Sequence, residues 1–140
     1  MAEYIANLEQ LVLENQNVLF TDTTVCGNSS IVHREGSGLI TLRGITSQCR
    51  ARYKVTFGAN IAIPTGGTVG PISMAISING EPIASTTMIV TPAAVEEYNN
   101  INRSIYIDVP CNCCVTVGVR NTSAQSINVQ NANIIVERIA

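Results

Sequence analysis

The chain of 140 residues has room for one domain with a single core, and at 46% hydrophobic and 13% charged residues it is too apolar and too poor in charge to stay disordered. A net charge of −2 with Lys54 as the single lysine supplies no clustered positive charge, so nucleic acid is not expected as a partner. No apolar run reaches the roughly 20 residues of a spanning helix, and Met1 to Leu13 carry Glu3 and Glu9 without a basic region, so neither a membrane segment nor a secretory signal is read here.

Residues 2–16 read as one helix, because Ile5, Leu8 and Val12 recur at spacings of three and four and Leu11 widens the stripe. Such a short helix is marginal alone, so it is expected to dock, attaching the molecule or bundling its copies, while residues 17–140 fold without it. From Asn17 onward the texture is β. Strand candidates are Asn17–Thr23, Ser30–Glu35, Gly38–Arg43, Arg50–Ile63, Val69–Asn79, Glu81–Val90, Asn100–Val109, Cys113–Arg120 and Ser126–Ile139, with room for a helical turn between Pro92 and Tyr98.

Alternation sorts the faces of these strands. Tyr53, Val55, Phe57, Ala59, Ile61 and Ile63 fall on one side of the fourth, against Lys54, Thr56, Gly58 and Asn60. Ile76, Ile107 and Val117 fall on the apolar sides of later strands, and with Tyr53, Val55 and Phe57 they make the expected core. The opposite faces, Asn102, Ser104, Tyr106 and Asp108 among them, are mostly small and neutral, which suits packing against neighbouring subunits better than facing water. Asn79-Gly80 between two strands predicts a type I′ hairpin. Successive strands without intervening helices predict an antiparallel sandwich or barrel.

Reactive groups are sparse. Five cysteines (Cys26, Cys49, Cys111, Cys113 and Cys114) are an odd set in a chain read as unexported, and the Cys111–Cys114 run lacks the second ligand pair of a zinc site, so buried or loop thiols without disulfide or metal are expected. His33 is the single histidine and has no evident catalytic partner. Glu96-Glu97 is the only adjacent carboxylate pair and is assigned to a solvated loop. No catalytic residues and no cofactor are expected. The triplets at Asn28, Asn102 and Asn121 are as frequent as chance supplies and are not read as glycosylation sites.

Four stretches carry a family resemblance: Ala51-Arg52-Tyr53-Lys54-Val55-Thr56-Phe57, Ile76-Ser77-Ile78-Asn79-Gly80-Glu81-Pro82, the late Cys114-Val115-Thr116-Val117-Gly118-Val119, and the closing Ala132-Asn133-Ile134-Ile135-Val136-Glu137-Arg138. The pattern resembles the jelly roll of the TNF and C1q-like superfamily over residues 17–140, in the manner of small structural proteins of bacterial viruses and of the C-terminal domains of collagen-like spore-surface proteins. No Gly-X-Y stalk and no acidic calcium cluster accompany it. The resemblance implies an all-β antiparallel jelly-roll sandwich that forms a homotrimer. With the low charge, it leads to the expectation of a virion protein made in the host cytoplasm, a capsid decoration or head fibre. Such a protein would bind the major capsid or another virion protein through Ile5, Leu8, Leu11 and Val12. The alternative is a carbohydrate-binding or adhesive module on a spore, cell or tail-fibre surface.

Overall fold

A computed structural model describes residues 1–27, 30–44, 50–111 and 113–139; Cys49 and the first two residues of the Asn28 triplet lie outside them. Within these residues the elements are β1 (Ala2–Ala6), β2 (Gln10–Val12), β3 (Asp22–Val25), β4 (Ile31–His33), β5 (Ile40–Arg43), β6 (Arg50–Ala62), β7 (Ile72–Ile78), β8 (Glu81–Pro82), β9 (Met88–Val90), β10 (Asn99–Pro110), β11 (Cys114–Asn121) and β12 (Ile127–Arg138). One 3₁₀ turn, Ala84–Thr86, follows β8, and the segment from Pro92 to Tyr98 holds turns and no helix.

The strands form two antiparallel sheets, β10-β6-β12-β1-β3 with β2 also on β12, and β4-β5-β11-β7-β8 with β9 also on β7. The inward faces of the two make one core. Long alternation explains the central strands: β6 runs for thirteen residues, and Tyr53, Val55, Phe57 and Ile61 along it are fully buried. Ile76, Ile107 and Val117 from β7, β10 and β11 are buried with them. Phe57 meets the ring of Phe20 edge-on at 6.4 Å and 80°, a geometry favoured by the aromatic quadrupole. The Tyr53 hydroxyl, carried into the core by its ring, donates to the Arg43 carbonyl at 2.6 Å. Asn79 and Gly80 have φ of 52° and 85°, as the I′ turn between β7 and β8 requires.

The expected helix over residues 2–16 is absent, and β1 and β2 stand in its place. Ala2, Tyr4, Ala6 and Val12 are buried, whereas Leu8 is 85% exposed. The spacing of Ile5, Leu8 and Val12 therefore coincided with a helical period, while the inward alternation ran through two alanines, whose small apolar surface gives a weak signal. The deciding contribution is tertiary: β1 pairs with β12 at five positions and with β3 on its other side, and these neighbours supply hydrogen bonds that an isolated short helix would have to supply alone. Residues 2–12 are thus built into the first sheet.

Candidate functional site

The outward face of the first sheet is ruled by its register. Cross-strand neighbours make three central rows: Asn100 and Asn60; Asn102, Gly58, Asn133 and Ile5; and Ser104, Thr56, Ile135 and Glu3. Beyond them lie Tyr106, Lys54 and Glu137, then Asp108 and Arg52. Glu3 is the one charge in the central rows, and it is tied down: Asn133 Nδ2 and the Thr24 hydroxyl both donate to its carboxylate, the latter at 2.8 Å, and hold it below the usual carboxylate range. Other polar groups there also satisfy one another. Thr56 and Ser104 share a hydrogen bond at 2.9 Å, Asn100 donates to Asn60 at 3.2 Å, and Asn102 donates to Asn100 at 3.3 Å. The centre of the face is largely neutral and partly bonded within itself, and β12 shifts register across it between Gln130 and Asn133.

Gly58 sits at its centre. Its φ lies outside the left-handed region, and a Cβ built on it meets nothing nearer than the Ile101 carbonyl oxygen at 3.8 Å. Gly118, by contrast, is required, since a Cβ there would lie 2.8 Å from the Gly38 carbonyl oxygen. A glycine in mid-strand costs stability and often marks a bulge or a close approach from outside; β12 shifts register beside Gly58, between Gln130 and Asn133, and the space above Gly58 is open.

At the end of the face the long side chains gather. Arg52 donates through Nε to one oxygen of Asp108 at 2.8 Å and through Nη2 to the other at 3.1 Å, and Arg50 Nη1 lies 3.5 Å from the same carboxylate. The Arg52 guanidinium holds the Asp108 carboxyl below its ordinary range.

The four residues expected to form an attachment stripe are dispersed. Ile5 is half-buried on the outward face, Leu8 and Leu11 are exposed near one end of the sandwich, and Val12 points into the core. His33 is half-buried against the rings of Tyr4 and Phe20, and its Nε2 donates to the Ser37 carbonyl at 2.9 Å. Glu96, in a loop as expected, adopts φ of 60° and accepts from the Thr65 amide at 3.0 Å and hydroxyl at 2.8 Å. Beside it, burial, with the Glu9 and Glu96 carboxylates nearby, pushes the pKa of the Tyr98 hydroxyl up to about 12. Cys26, Cys111, Cys113 and Cys114 are free and exposed, the first three outside the strands and Cys114 at the start of β11; Cys49 is outside the described residues. Among the described residues no group of His, Cys, Asp and Glu is arranged to hold a metal ion, and no helix is long and apolar enough to cross a membrane. Sequence reasoning placed Gly58 and Tyr106 on the neutral faces of their strands but not beside their present neighbours, because cross-strand register is not written in either strand alone.

No protein-family model matches the sequence, and no curated protein is significantly similar to it. The fold has solved counterparts. The Eiger TNF structure from S. frugiperda superposes with a TM-score of 0.71 at 10% identity, covering 99% of this chain and 91% of that one. The globular domain of the zebrafish complement 1qA protein gives 0.64 at 12% identity over 96% and 94% of the two chains. Murine APRIL gives 0.59 at 7% identity over 95% and 97%. The architecture is therefore the TNF/C1q-like jelly roll.

Proposed function

We propose that this chain is a structural virion protein: a homotrimer built through the central rows of the outward face of the first sheet, which decorates the capsid or forms a head fibre of a bacterial virus. The observation that supports the assembly is Gly58, with open space above it at the centre of a face where Thr56, Ser104, Asn60, Asn100 and Asn102 hydrogen-bond among themselves. Bringing a second copy onto such a face leaves few polar groups without a partner, so the desolvation cost that opposes association is small. Leu8 and Leu11, exposed by 85% and 56%, are the candidates for attachment to the major capsid or another virion protein.

Light scattering tests the assembly: the expected mass is about 45 kDa, three times the 14.9 kDa chain. Gly58→Arg places its side chain over open surface, so the monomer fold should survive by circular dichroism while the mass falls to that of one chain. A wild-type monomer, or a Gly58→Arg variant of unchanged mass, overturns the proposal. The Leu8→Asp, Leu11→Asp double variant should remain trimeric and lose co-sedimentation with intact particles; retained co-sedimentation would remove the leucines from the attachment.

A further inference from the structure

Five of the six aromatic side chains are accounted for by the fold. Tyr4, Phe20, Tyr53 and Phe57 are buried, and Tyr98 is half-buried. Tyr106 is not: it stands 64% exposed on an outward-facing position of β10. With Arg52, Asp108 and Ile139 it lines an open cleft of about 380 Å³, at the small end of the range for sites that hold small molecules.

The chemistry of this cleft narrows its occupant. An ionised carboxylate offers about four lone-pair positions and a guanidinium five N–H donors. The two hydrogen bonds between Arg52 and Asp108 thus leave acceptors on one partner and donors on the other. Arg50 and Arg52 share the one Asp108 carboxylate, so the cleft keeps a positive balance beside its donor–acceptor pair, and a wholly apolar ligand would strip water from these groups without replacing it. The complement of a flat ring face beside a fixed donor–acceptor pair is a rigid ring with a C–H face and adjacent hydroxyls, each able to donate and accept.

We propose that the cleft is a saccharide subsite, in which a pyranose ring stacks on Tyr106 and two neighbouring hydroxyls bridge Asp108 and Arg52. The volume suits the end of a glycan or a single residue, not an extended chain. Tyr106 and Asp108 lie one and two pleats beyond the Ser104 row, roughly 7 and 14 Å from it, so this site does not draw on the central rows assigned to assembly.

Saturation-transfer NMR on the full-length protein, with methyl pyranosides of glucose, galactose, mannose and N-acetylglucosamine at millimolar concentration, tests the site. At least one should receive saturation on the C–H protons of one ring face, with Kd on the order of a millimolar, about −4 kcal/mol. Tyr106→Ala should weaken that binding at least tenfold and Asp108→Asn should weaken it too. Tyr106→Phe should retain it, and all three variants should keep the wild-type mass and circular dichroism. No transfer to any of the four sugars, or transfer unchanged in Tyr106→Ala, overturns the proposal. The mass measured by light scattering reads the assembly separately, so either idea can fail without the other.

Discussion

Val12 and Leu8 would lie along one stripe of a helix, and the structure separates them completely. Val12, paired with Ile127, is 2% exposed, and Leu8 is 85% exposed. Placing Asp at each reads this difference directly. At position 12 the carboxyl enters an apolar core with no cation, so at pH 7 it takes up a proton in preference to staying charged. Holding it neutral about three pH units above its ordinary value near 3.9 costs about 4 kcal/mol, which caps the electrostatic penalty. Losing the two buried methyls of valine adds about 1.5 kcal/mol, for a total of about 5–6 kcal/mol against a whole stability of about 5–15 kcal/mol. At position 8 the change should stay within about 0.5 kcal/mol. Urea unfolding followed by circular dichroism at fixed protein concentration measures both variants. The Val12→Asp penalty also carries a sign in pH. Its folded-state carboxyl titrates above the unfolded one, so between the two values stability recovers by about 1.4 kcal/mol per unit as pH falls. Equal losses for the two variants would restore the helical stripe and refute the strand assignment; so would a Val12→Asp protein of wild-type stability.

Phe57→Ala should cost about 4–5 kcal/mol, in the upper part of the range for such truncations, because β6 is paired on both sides and cannot collapse onto the cavity; Lys54→Ala should cost less than about 0.5 kcal/mol, and comparable losses in urea would mean the faces of β6 are exchanged. A chain beginning at Asn17 lacks β1 and leaves β12 and β3 without the strand between them, so circular dichroism should show it unfolded or light scattering show it aggregated; a folded, soluble product would make residues 1–16 dispensable. Cys26, Cys111, Cys113 and Cys114 should all react with a thiol reagent in the native protein without reductant; fewer than four fast-reacting thiols would place one of them in a bond or a contact absent from this fold.

Alternation in the sequence was enough to place β6, β7, β10, β11 and β12 to within a few residues, and to assign Tyr53, Val55 and Phe57 to one face. That signal is local: a long strand with one buried side repeats its preference every second residue, and the repetition outweighs any single exception. The Asn79-Gly80 turn was legible for a similar reason, since the positive φ at both positions is a property of the dipeptide itself. At the N-terminus the same reasoning failed. Five residues of β1 with two inward alanines carry too little apolar contrast, and what holds them extended is pairing with strands some 20 and 130 positions away along the chain. The candidate sites divide in the same way. That Gly58 and Tyr106 face outward follows from alternation. That Gly58 lies between Asn102 and Asn133, and that Tyr106 shares a cleft with Arg52 and Asp108, depends on the register of β10 and β12 on β6. Register is a joint property of two distant segments: a slip by one residue leaves both sequences unchanged and exchanges every neighbour, so only the folded sheet decides it.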